Sequence, residues 1–118
     1  VRLYRLSKQL GKPITSFNSR EASFARIVDY EKTLHIGCIF VGPSGLVGAH
    51  EAPVNQLFLV LNGEGWVVGR EGTKVEIRSG MAAYWEAGEQ HESGSEQGMT
   101  VLVLEGEELK PLLELHGD

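Results

Sequence analysis

The chain has a single cysteine, four prolines and four histidines, and no apolar run long enough to cross a bilayer as a helix. One thiol, Cys38, cannot close an internal disulfide, so no covalent framework is expected to hold the fold. Its apolar neighbours Ile36, Ile39 and Phe40 predict a buried, inert side chain. Cations are also short. Eleven Lys and Arg face 16 Asp and Glu, the net charge is −5, and the basic residues are scattered singly. A nucleic-acid surface needs clustered Lys and Arg, so nucleic acid is not an expected partner. The start, Val1-Arg2-Leu3-Tyr4-Arg5-Leu6-Ser7, turns polar at once and lacks the apolar stretch of a secretory signal. With no signal, no membrane segment and no disulfide, the expected compartment is the cytoplasm.

The chain is also poor in helical spacing. Apart from a single turn expected at Ser7-Lys8-Gln9-Leu10, ended by Gly11 and Pro13, apolar residues do not recur at three and four. What is present is glycine, 15 residues in 118, placed between short β-rich runs. Strands are predicted at Ser23 to Val28, Leu34 to Val41, Gly48 to Ala52, Gln56 to Leu61, Gly65 to Val68, Thr73 to Ile77, Met81 to Trp85 and Met99 to Leu104. Turn chemistry separates them at Gly42-Pro43-Ser44-Gly45, Asn62-Gly63, Gly69-Arg70-Glu71-Gly72 and Ser79-Gly80. Evenly spaced short strands predict an all-β barrel or sandwich, and the length suits one domain over residues 1–118. Leu57-Phe58-Leu59-Val60-Leu61 is apolar on both faces, so its outer side must be covered. The cover could be the N-terminal segment, Leu109 to Leu115, or a second copy, and a homodimer is the expected arrangement.

Two constellations carry the candidate chemistry. The first is His50-Glu51-Ala52-Pro53-Val54-Asn55-Gln56 with Gly63 beyond it, a strand and a tight corner that returns Gln56 toward His50. The second runs from Gly80 through Trp85, Glu86 and Gly88 to His91, a strand, a glycine turn and a histidine entering the next strand. Glu86, Glu89 and Glu92 flank it and are expected to be solvated. Tyr84 should point away from the pocket by alternation.

At these residues the chain resembles the cupin superfamily. The first cupin motif has a glycine, two histidines one residue apart, a glutamate four residues on and a glycine seven beyond; here it reads His50, Ala52, Gln56 and Gly63. The second reads Gly80, Glu86, Gly88, His91 and Ser95, with Glu86 in the place of a proline and Ser95 in that of an asparagine. The resemblance covers residues 34–104 and is strongest to small, single-barrel cupins. It implies a cupin-type antiparallel β-barrel, a double-stranded β-helix or jelly roll, with its pocket inside.

Metal-holding cupins use both first-motif histidines, the glutamate and the second-motif histidine. This chain keeps His50 and His91, puts an amide at Gln56, and has nothing to ligate with at Ala52. The resemblance therefore implies a weakly held divalent transition metal (zinc, nickel, iron or manganese) on His50, Gln56 and His91. The other reading is a metal-free polar pocket in which Gln56 hydrogen-bonds an imidazole. Phe58, Val60, Ala83 and Trp85 are expected to line the pocket, with His35 at its rim. The functional expectation is binding of a small molecule. Alternatives are a metal-dependent oxygenase or lyase, or a metal-free isomerase using His91 as acid or base.

Overall fold

The computed structural model describes residues 1–116. Its strands are β1 Arg2–Arg5, β2 Lys12–Pro13, β3 Ser23–Phe24, β4 His35–Val41, β5 Gly45–Glu51, β6 Asn55–Val68, β7 Lys74–Arg78, β8 Met81–Trp85, β9 Gln90–Ser95, β10 Met99–Gly106 and β11 Glu114–Leu115. Among the described residues the one helical piece is a 3-10 turn at Lys8–Leu10, capped by the Ser7 side chain as its sequence predicts.

Two antiparallel sheets face each other. One runs in the order β11-β1-β8-β6-β10-β4. The other is built from β5, β9, β6 and β7, with β9 between β5 and the second half of β6. β6 therefore serves both sheets, its first half pairing β8 and β10 and its second half β7 and β9. Asn62-Gly63 is not the hairpin turn its chemistry suggested. Leu61 is left unopposed between the pairs Val60↔Val101 and Asn62↔Thr100, a bulge that bends one continuous strand from sheet to sheet. Gly63, at φ +87°, supplies the backbone conformation beside it, where a Cβ would collide with the Gly98 carbonyl.

Alternation sorts the side chains. Phe58, Val60, Ala83, Trp85, Val101 and Val103 point between the sheets and form the main core. Leu57 and Leu59 point outward yet are 0% and 1% exposed. Leu10, Ile27, Val28, Tyr30 and Leu34 from the first third of the chain, with Leu109 and Leu113 from its last, pack over them. The cover of β6 thus comes from both terminal segments and needs no second copy. The strand predicted at Ser23 to Val28 shortens to Ser23–Phe24, because Ile27 and Val28 serve that cover instead.

Cys38 is exposed, contrary to expectation. It lies with Ile36 and Phe40 on the outer face of β4, which pairs only β10, and there the terminal cover stops; Ile36 is 61% and Phe40 77% exposed. No helix among the described residues is long and apolar enough to cross a membrane.

Candidate functional site

Six polar or aromatic residues share one level of the barrel: Gln56, Trp85 and His91 are buried, Glu105 is half-buried, and His35 and His50 are exposed at its rim. On the larger sheet, His35 of β4 pairs Glu105 of β10, Glu105 pairs Gln56 of β6, and Gln56 pairs Trp85 of β8. All four sit on the inward parity of their strands. On the other sheet His50 of β5 pairs His91 of β9. The Trp85 and His91 rings stack at 4.3 Å between centroids and 27°, which joins the two rows.

A backbone irregularity brings His50 into this level. Val47 pairs Ser93 and His50 pairs His91, so three steps on β5 match two on β9, a bulge at Gly48-Ala49. Val47 packs against the inner core. Without the bulge, strict alternation would turn His50 to the outside. With it, the His50 and His91 rings lie 4.3 Å apart.

Each imidazole is held by a backbone carbonyl. His50 Nδ1 lies 2.7 Å from the Gly48 oxygen and His91 Nδ1 3.1 Å from the Glu89 oxygen. A carbonyl can only accept, so in the neutral rings Nδ1 carries the proton and Nε2 keeps a lone pair. Burial of His91, 5% exposed, is the main force that lowers its pKa below 6.5. The neighbouring His50 adds to this, while the Glu89 carbonyl and the charges of Glu89 and Glu105 oppose it. His91 is thereby held neutral.

Gln56 does not hydrogen-bond an imidazole. Its Nε2 donates to Glu105 Oε2 at 2.8 Å. β5 and the first half of β6 belong to opposite sheets, so the corner at Pro53-Val54 carries the chain across the barrel rather than setting Gln56 beside His50. Glu105 is the residue that sequence reasoning missed. The predicted strand stopped at Leu104, whereas the period-two row Val101, Val103, Glu105 continues one step further.

The open part of the interior lies on the Glu105 side. A concavity of about 340 Å³ is lined by His35, Gly37, Ile39, Gln56, Val103 and Glu105 among others, and a neighbouring one of about 390 Å³ shares His35 and Glu105. Phe58, Val60 and Ala83, expected as pocket lining, are at most 2% exposed and form a closed floor. Trp85 is fully buried, and its indole N–H has no hydrogen-bond partner. A buried donor without an acceptor is a cost to the fold, and Trp85 lines neither of these concavities.

Around His91 the flanking acids differ. Glu86 is exposed, whereas Glu89 is 5% exposed. The Glu89 carboxylate accepts from the amides of Arg70 and Glu86 and from the Val1 ammonium. Burial pushes its pKa upward, but these donors outweigh it and hold it below the usual value. Glu89 fixes the loop that presents His91 and does not face the pocket row. Tyr84 points outward as expected, donating to the Leu109 carbonyl at 2.7 Å.

The donor set does not fit a resident metal. Among the described residues no three His, Cys, Asp or Glu side chains are grouped to hold an ion. Two imidazoles supply half of a four-coordinate shell, and Gln56, whose Nε2 donates to Glu105, stands on the opposite sheet from both of them.

No family model matches the chain, and no curated protein matches it in sequence. Solved structures do match. A cupin superfamily protein from Desulfitobacterium hafniense is 15% identical with a TM-score of 0.60, over 91% of this chain and 99% of that one. A protein described as a predicted oxalate decarboxylase from Thermotoga maritima is 21% identical with a TM-score of 0.55, over 65% of each chain. A DMSP lyase structure is 22% identical with a TM-score of 0.58, over 64% of this chain and 40% of that one. At these identities the likeness is one of fold, and the fold is that of a small cupin barrel.

Proposed function

We propose that this cupin barrel binds a small molecule in the polar layer formed by His35, Gln56, Glu105, Trp85, His50 and His91, without a resident metal. The observation that carries this reading is unspent hydrogen-bonding capacity inside the barrel. Buried, neutral His91 donates Nδ1–H to the Glu89 carbonyl and keeps an Nε2 lone pair, and half-buried Glu105, which lines both concavities, receives among the described residues only the Gln56 amide. The neighbouring concavities are of a size for a metabolite rather than a polymer.

The test is native mass spectrometry of protein purified without an affinity tag. The intact protein should carry an added mass in the range of a metabolite that is absent from a His91→Ala, Trp85→Phe double variant. Protein that emerges free of any such mass, and whose unfolding midpoint is unmoved by a library of small metabolites, would overturn the reading.

A second reading, proton transfer on the bound molecule, is favoured by His91. A neutral, buried imidazole with a free Nε2 can accept a proton, and burial makes its conjugate acid ready to return it. Decarboxylase and lyase descriptions among the fold neighbours are compatible with an isomerase or lyase of this kind. Isotope exchange from solvent into the co-purified molecule, lost in His91→Gln, would distinguish turnover from storage.

A further inference from the structure

We infer that Glu105 is the anionic anchor of the pocket and that its occupant carries a protonated amine, an inference that rests on the small-molecule reading above. Glu105 is half-buried on the inner face of β10, between His35 and Gln56, and lines both concavities. Its Oε2 accepts from Gln56 at 2.8 Å. Among the described residues no hydrogen-bond donor reaches Oε1, and no Lys, Arg or His comes within ion-pair distance. Lys32, which shares one of the concavities, is bonded to Glu108 at 2.9 Å. A half-buried carboxylate that lines two concavities and has half its acceptor capacity free is placed to accept from a cationic donor. It is a good receptor for a cation.

The rest of the layer agrees in sign. Buried His91 has its pKa held down and its Nδ1 on the Glu89 carbonyl, so it brings a lone pair and no positive charge to the layer, and Gln56 donates to Glu105. An ammonium group brings several N–H donors and a positive charge to meet these acceptors.

The Gln56–Glu105 pair also gives a reason for the amide at position 56, where the cupin motif has glutamate. The two are cross-strand neighbours on one face, and carboxylates at both would repel at hydrogen-bond distance. The single negative charge of the pair lies on β10, and Gln56 acts as a positioning residue that orients it.

The experiment uses three probes of one shape and different head groups: phenethylammonium, phenethyl alcohol and phenylacetate. Each is titrated into ¹⁵N-labelled protein while the indole N–H resonances are followed, that of Trp85 being identified with a Trp66→Phe variant. The ammonium should bind at least about tenfold more tightly than the alcohol, the worth of one charge-assisted hydrogen bond, and the carboxylate should bind most weakly. Glu105→Gln, which preserves shape and the contact with Gln56, should remove the preference for ammonium, and Glu105→Asp should keep it. If the probes bind the wild type but their order is unchanged in Glu105→Gln, or if Asp and Gln variants lose the preference alike, the role of Glu105 is refuted while the pocket stands. If no probe shifts the Trp85 resonance at millimolar concentration, the pocket reading falls and this inference with it. Stoichiometric Co²⁺ binding lost in His91→Ala would likewise overturn it, since a metal would then be the cation of the site.

Discussion

Trp85→Phe is the substitution that weighs the unspent hydrogen bond most directly. Trp85 is 0% exposed, stacked on His91 and edge-on to Phe58 with ring centroids 5.2 Å apart. Phenylalanine keeps one six-membered ring in that space and removes the pyrrole part. The vacated volume is about 40 Å³, which at about 24 cal/mol per Å³ costs about 1 kcal/mol, with about 1 kcal/mol more for the lost apolar transfer. Against this, an indole N–H buried with no acceptor destabilises the folded protein by about 1–3 kcal/mol, and phenylalanine removes that penalty. The two terms offset, so the ligand-free variant should be within about 1 kcal/mol of wild type in urea unfolding followed by circular dichroism. Few Trp substitutions at a fully buried position are so mild; about 3–5 kcal/mol is typical when the ring is truncated to alanine. Ligand should then stabilise the wild type more than the variant. A loss above about 3 kcal/mol in ligand-free Trp85→Phe would mean that the N–H is already satisfied, and would refute the reasoning.

Three further outcomes follow from the same geometry. The His91 pKa is lowered in the folded state, so its contribution to stability is complete above the ordinary value of 6.5 and is lost as pH falls through the folded value; the urea midpoint of wild type should drop on acidification, and that of His91→Gln should drop less. Glu89→Ala strips the acceptor from the amides of Arg70 and Glu86, which predicts a loss of about 2–3 kcal/mol in the same assay, against a near-neutral result for the exposed Glu86→Ala. The expected homodimer now rests on β4, a seven-residue edge strand without Asp, Glu, Lys or Arg, which an antiparallel second copy could pair without like-charge repulsion; sedimentation should show a dimer for wild type and a monomer for Phe40→Lys, and a wild-type monomer would end that expectation.

Much of the architecture was legible because strand punctuation is local. Met81 to Trp85 is bounded as Ser79-Gly80 and the Glu86–Gly88 turn predict. What failed depended on non-local pairing. Asn62-Gly63 has hairpin chemistry, but a residue with positive φ serves a bulge as well as a turn, and only the partner strand β10 decides which. Cys38 looked buried from its neighbours; whether an alternating apolar strand is covered on its second face depends on where the terminal segments end. The reading that pairs Gln56 with an imidazole rests on sequence proximity, whereas its hydrogen-bond partner lies 49 residues away on β10.

The two bulges explain how so small a barrel holds a polar layer at all. A strictly alternating β5 that kept Val47 inward would send His50 outward, leaving His91 without its neighbouring imidazole. The extra residue at Gly48-Ala49 resets the parity, and the Gly48 carbonyl released from regular pairing is the group that fixes the His50 ring. The Leu61 bulge works differently: it bends β6 so that Gln56 belongs to one sheet while Val67 belongs to the other, and residues from both sheets can meet across the interior. The polar layer is thus a product of backbone irregularity as much as of residue identity. That accounts for why the histidines retain their place while Ala52 and Gln56 depart from the cupin ligand pattern. The scaffold that aims side chains inward is separate from the chemistry of the groups it aims, and here the charge of the layer resides on Glu105.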